Sequence, residues 1–206
     1  MEATRNRVMS IIPLFTQSAF EPETIDFLVS VFETAWKRVE QSGSKLASPA
    51  FERAAQEIIA KRPGVLGIYW PFRAEFDPRP LVEALATGGR QVALPVVVDK
   101  KGPLEYRAWA PGENLISGVW DIPIPEKREI VVPAMVLAPV VGFDRDRYRL
   151  GYGGGYFDRT LAALNPRPMA IGVGFAMQQI ETIHPQSFDI PMDLIVTEAG
   201  VSGGRS

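Results

Sequence analysis

Between Val65 and Glu198 the chain repeatedly sets a short, wholly apolar run near a segment with helical spacing. The runs are VLGIYW (65–70), QVALPVVV (91–98), AMVLAP (134–139), MAIGVGF (169–175) and DLIVTE (193–198). RPLVEALATGG (79–89), closed by glycine, and FDRTLAAL (157–164) read as helices. A strand that is apolar at every position is buried on both faces. Such strands alternating with helices predict an α/β protein: a mixed, mainly parallel sheet with helices on both faces, in three layers. LEYRAW (104–109) instead alternates, as a half-exposed strand does.

The N-terminal third has a different texture. Ile25, Leu28, Val29, Phe32, Trp36 and Val39 share one helical face, with Pro22 at the start and Gly43 at the stop. A second helix is expected from Ser48 as N-cap and Pro49 at N1 to about Lys61. The expected organisation is an atypical helical segment over 1–62 packed on the domain, an α/β domain over 63–200, and a disordered tail over 201–206.

Composition narrows the function classes. A net charge of −2 lacks the basic footprint of a nucleic-acid binder. Cysteine is absent, and His184 is the single histidine, which excludes thiolate chemistry and a multi-histidine metal site. His184, ahead of Pro185, reads as a surface turn residue. No run of about 18 apolar residues occurs, so no membrane span is expected. The first residues lack an apolar core followed by a small-residue cleavage site, and a cytoplasmic protein is the expectation.

The stretch RLGYGGGYFDR (149–159) follows a strand and opens a helix. Such a layout aims backbone N–H groups at an anion, and the helix N-terminus adds partial positive charge. Arg149 could add a full charge with a fork that fits phosphate. Asp158, in the first helical turn, could complement the helix dipole or face a divalent cation. The spacing matches neither the P-loop nor the dinucleotide fingerprint. On physics alone two readings stand: a phosphate-binding loop for a nucleotide, or a tight turn with a solvated arginine and a capping aspartate.

GFDRDRYRLGYGGGYFDRTL (142–161) resembles the signature of the 5-formyltetrahydrofolate cyclo-ligase family, also called methenyltetrahydrofolate synthetases. That signature is a Phe-Asp pair, a hydrophilic link, and Arg-Leu-Gly-x-Gly-x-Gly-Tyr-Tyr-Asp, from which this chain differs at Phe157. YWPFRAEFDPRPL (69–81), VALPVV (92–97), WDIPIP (120–125) and FDIPMDLIVTE (188–198) resemble other family blocks in order, so the resemblance spans Val65 to Glu198.

The resemblance implies a Rossmann-like cyclo-ligase fold. It also implies an enzyme that uses ATP and Mg²⁺ to convert 5-formyltetrahydrofolate to 5,10-methenyltetrahydrofolate through a phosphorylated formyl group, an imidate phosphate. By position it assigns Arg149 and Tyr156 to catalysis, and Lys37, Arg149, Leu150, Gly151, Tyr152, Gly153, Gly154, Gly155, Tyr156 and Phe157 to the nucleotide. Trp70, Glu75, Trp120 and the stretch Tyr152 to Tyr156 fall to the folate, and Asp158 and Asp189 to Mg²⁺. A carboxylate such as Glu75 suits the 2-amino group and ring N–H of a pterin. The expected partners are a folate and ATP, with no nucleic acid or membrane, in a monomer or alternatively a dimer. The chain departs from the pattern near its start. Lys37 falls on the family's phosphate-binding arginine, and Glu33 on its lysine; Ile124 and Ala134 replace usual polar residues. The alternative is therefore a catalytically altered homologue that binds nucleotide or folate in a regulatory or interaction role.

Overall fold

Successive residues of a strand point to opposite faces of a sheet, and this rule sorts the core into two layers. In the computed structural model, which describes residues 49–72 and 75–203, helix α1 spans Pro49–Ala60, α2 Arg79–Thr87 and α3 Tyr156–Ala163. The main-sheet strands are β1 (Leu66–Gly67), β2 (Val92–Val96), β3 (Glu105–Trp109), β6 (Met135–Pro139), β9 (Met169–Val173), β10 (Leu194–Thr197) and β11 (Gly200–Ser202). They lie in the order β11-β10-β9-β6-β1-β2-β3. The five central strands are mutually parallel, and β3 and β11 run antiparallel at the two edges. Two hairpins stand apart from this sheet: β4 (Leu115–Ser117) with β5 (Pro123–Pro125), and β7 (Gly142–Phe143) with β8 (Arg149–Leu150).

On one face Leu66, Ile68, Val92, Leu94, Met135, Leu137, Ile171, Val173, Leu194 and Val196 pack against Ala55 and Ile59 of α1 and Leu81 and Val82 of α2. On the other, Ala93, Val136, Ala138, Ala170 and Ile195 lie under α3, which contributes Leu161 and Phe157. Helices thus cover both faces, the three layers that the doubly apolar strands require. Each buried aliphatic side chain contributes roughly 1.5–3 kcal/mol of transfer free energy, and such residues line both faces of the central strands.

Three local differences from the sequence reading have physical causes. The first apolar run forms a strand only over Leu66–Gly67; by Tyr69 the chain is leaving the sheet, and the Tyr69 hydroxyl donates to the Phe76 carbonyl at 2.7 Å. The segment read in sequence only as a hydrophilic link before the glycine loop is the β7–β8 hairpin. Its turn is built on the buried Asp144 carboxylate, which accepts the N–H groups of Asp146, Tyr148 and Ile183. The tail, expected to be disordered from 201, continues through Ser202 as β11, because a tight turn at Glu198 and Ala199 returns the chain to pair with β10. Residues 204–206 and the expected helix over 22–41 lie outside the described residues. Among the described residues no helix is long and apolar enough to cross a membrane.

Candidate active site

In a parallel sheet the carboxyl ends of the strands share one edge, and ligands bind in the crevice outside it. Here the segments leaving β1, β6 and β9 carry almost every residue singled out by sequence. The β7–β8 hairpin lifts the chain from the end of β6 and delivers Arg149 and Leu150 at its second strand. The glycine loop then crosses to the start of α3. Gly153 and Gly155 have φ of 80° and 61°, in the left-handed region where a Cβ is strained. Gly155 is the N-cap of α3 and, having no side chain, leaves the N–H groups of the first turn unclaimed by a cap.

Arg149 is held beneath this turn. Its Nη2 donates to Oδ2 of Asp158 at 2.9 Å, and its guanidinium carbon lies 4.9 Å over the Phe157 ring. Its Nε is buried without a hydrogen-bond partner. The second oxygen of Asp158 accepts the N–H of Ile190 at 3.2 Å. This bond ties the loop after β9 to the first turn of α3 and brings Asp189 to Asp158. Burial first, and then the Asp158 charge, push the Asp189 carboxyl above its usual range, against the Gln186 N–H and Arg149. Two carboxylates from distant segments converge beside one arginine, a donor set that suits an ion taking few protein ligands and several waters. Among the described residues no group of three or more histidine, cysteine, aspartate or glutamate side chains gathers as a metal site.

The aromatic groups flank the same loop. Tyr152 meets Phe72 edge-to-face at 5.9 Å between ring centroids. The Phe72 N–H donates to the Glu75 carboxylate at 2.8 Å, so this turn brings Glu75 toward the glycine loop. On the other side Trp120 meets Tyr156 edge-to-face, also at 5.9 Å. Trp120 is 54% exposed and held at φ 57°, ψ 28°, with Asp121 at φ 59° beside it. A non-glycine residue held in this region is strained, and such strain clusters at functional sites. Trp70 is half-buried against the core, edge-on to Trp109 at 6.1 Å, with the Arg79 guanidinium over its ring.

The structure therefore gathers Arg149 through Asp158, Trp120, Asp189 and the turn that carries Glu75, while Trp70 rests half-buried against the main core. Lys37 lies outside the described residues. His184 is exposed, at φ 53°, outside any helix or strand. Two participants escaped the sequence reading. Phe72 had no periodic signal. Arg159, whose guanidinium lies 4.8 Å over the Tyr156 ring, could have been found from its i,i+3 spacing to Tyr156.

Fold and site together define an α/β protein with a glycine loop opening an uncapped helix and a pair of carboxylates at the carboxyl edge of its parallel strands. The family model for the 5-formyltetrahydrofolate cyclo-ligase family matches residues 33–198, and the chain belongs to that family. It is 29% identical over 161 residues to the 5-formyltetrahydrofolate cyclo-ligase of Escherichia coli K12, covering 73% of this chain and 88% of the relative. It is 27% identical over 167 residues to the Haemophilus influenzae enzyme of the same name, covering 77% and 86%. The NMR structure of Aquifex aeolicus 5,10-methenyltetrahydrofolate synthetase superposes with a TM-score of 0.74 at 26% identity, over 89% of this chain and 95% of that one. The Mycoplasma pneumoniae synthetase, at 18% identity and a TM-score of 0.62 over 83% and 98%, shares the fold.

Proposed function

We propose that this protein is an ATP- and Mg²⁺-dependent 5-formyltetrahydrofolate cyclo-ligase that forms 5,10-methenyltetrahydrofolate. The observation that carries the reading is the buried Arg149, paired to Asp158 through Nη2 directly beneath an uncapped helix N-terminus. Those donors fit phosphate, and the Asp158–Asp189 pair fits the divalent ion that accompanies it.

ATP supplies the phosphoryl group that makes the formyl oxygen a leaving group, so that N10 can close the ring with loss of phosphate. The protein's part is positioning and charge stabilisation. Arg149 and the first N–H groups of α3 face the charge that develops on the phosphoryl oxygens. Asp158 and Asp189 hold the cation. The glycine stretch lets phosphate and formyl group approach one backbone. Glu75 receives the pterin N–H groups, and Trp120 and Tyr156 flank the ring.

The test is purified protein with 5-formyltetrahydrofolate, followed at the methenyl absorbance band with and without MgATP. Absorbance that grows only with both ATP and Mg²⁺ is expected; none rejects the ligase reading. The second reading, a homologue that binds without turnover, is favoured by Glu33 at the position of the family's phosphate-binding lysine. Retained MgATP or folate binding by an inert protein would select it.

A further inference from the structure

Among the described residues the Tyr106 hydroxyl, in the layer between α3 and the sheet, and Nε of Arg149, whose guanidinium lies over Phe157 of α3, are buried without a hydrogen-bond partner. A third, Nε1 of Trp109, belongs to the opposite core face. Tyr106 is 2% exposed. Its ring is wedged against Gly67 of β1, where a Cβ would stand 2.7 Å from a ring carbon. Ala93, Leu104 and Val136 enclose it, with Tyr156 and Phe157 packed against the same cluster. The ring therefore cannot swing its hydroxyl out to water. Phe157 is the common neighbour, since it joins this cluster and carries the Arg149 guanidinium over its face. Burial pushes the Tyr106 hydroxyl well above the usual tyrosine range and Arg149 pulls it back, so the group is a neutral phenol within the field of that arginine.

A buried polar atom without a partner is uncommon and calls for a reason. Here the reason is a division of labour on Asp158. As described, Asp158 serves Arg149 through Oδ2. In the reading proposed above the same carboxylate also holds a cation, and a carboxylate drawn to a divalent ion loosens its grip on a guanidinium. Arg149 is only 5% exposed and cannot turn to water instead.

We propose that Tyr106 is a positioning residue for Arg149. Its hydroxyl oxygen accepts the Arg149 Nε–H when Asp158 turns to the cation, and so keeps the guanidinium in place with its Nη groups toward the transferring phosphoryl. No covalent bond changes. This rests on the ligase reading of the site.

The experiment compares wild type with Tyr106→Phe by calorimetric titration of MgATP, by titration of ATP in chelator, by thermal denaturation and by turnover. Removing a hydroxyl that has no partner leaves the melting temperature unchanged or higher. MgATP affinity and kcat are each expected to fall about ten-fold, the effect of one hydrogen bond to a charged group. Metal-free ATP affinity and the folate KM stay at the wild-type value. Wild-type MgATP affinity and kcat in Tyr106→Phe overturn the proposal. So does an equal loss with and without metal together with a lower melting temperature, since that marks a packing role. If the phenylalanine variant fails to fold, Tyr106→Leu is read on the ratio of MgATP to metal-free ATP affinity alone, because loss of the buried ring lowers the melting temperature by itself. A wild type that binds MgATP without turnover rejects the ligase reading but leaves the binding comparison decisive here. A wild type that binds no MgATP rejects both.

Discussion

Nη2 of Arg149 lies 2.9 Å from Oδ2 of Asp158, nine positions further along the chain, and the two side chains are only 5% and 14% exposed. A glycine loop separates them in sequence, and the fold of that loop makes them neighbours. The pair places one positive and one negative group where phosphate and cation would each find an opposite charge.

Asp158→Asn keeps the shape but removes the charge. Breaking one side of a buried ion pair costs up to about 3–5 kcal/mol, less here because the amide oxygen still accepts from Arg149. A fall in melting temperature of several degrees is expected. MgATP affinity should drop ten-fold or more, and metal-free ATP affinity much less. Equal loss in both titrations would reduce Asp158 to a structural partner of the helix turn.

Asp189 predicts a pH dependence. Its carboxyl is raised in the folded protein, by burial first and then by Asp158. Above that raised value the ionised form costs stability, and the cost disappears as pH falls through it. Cation binding needs the ionised form, so Mg²⁺-dependent stabilisation should weaken on acidification above the ordinary carboxylate range of about 4. Melting temperature with and without Mg²⁺, from about pH 5 to neutrality, reads this directly. Asp189→Asn should abolish the Mg²⁺ effect and leave the metal-free protein equally or more stable at neutral pH. A variant that still shows the wild-type Mg²⁺ profile would remove Asp189 from the site.

Trp120 separates binding from stability. Its left-handed backbone is strained for any residue with a Cβ, by roughly 1 kcal/mol, and its ring is exposed. Trp120→Gly should therefore leave the melting temperature unchanged or raise it. Loss of the ring beside Tyr156 should raise the folate KM by up to about ten-fold. An unchanged KM would show that the ring does not meet the substrate.

Gly155→Ala tests the loop. At φ 61° an alanine costs about 1–2 kcal/mol, and its Cβ would stand 2.8 Å from Nη1 of Arg159. Thermal denaturation should show a loss of a few degrees, as expected for about 1–2 kcal/mol in a chain of this size, together with weaker ATP binding. An unshifted melting curve would mean that the loop relaxes without needing glycine there.

The apolar runs at 134–139, 169–175 and 193–198 were sufficient to reveal buried parallel strands, because burial on both faces leaves no polar position to disguise them. The α3 start and the capless glycine before it were equally legible, since helix entry is a local matter of φ and of backbone N–H groups. The sequence alone thus determined the layered fold and marked the loop as a place where a ligand can approach backbone. The β7–β8 hairpin was not legible. It depends on Asp144 gathering N–H groups from its own turn and from Ile183, a contact across 39 positions. The orphan Tyr106 hydroxyl was hidden for a similar reason: in sequence it is one inward residue of an alternating edge strand, and only packing puts it in the field of Arg149. Tertiary structure alone decided that Asp158 is shared between Arg149 and the Ile190 N–H, and that Asp189 lies beside it. Local propensity acts within a few residues. Burial and charge act through space, and the partners that set the chemistry of this site come from segments that meet only when the sheet assembles.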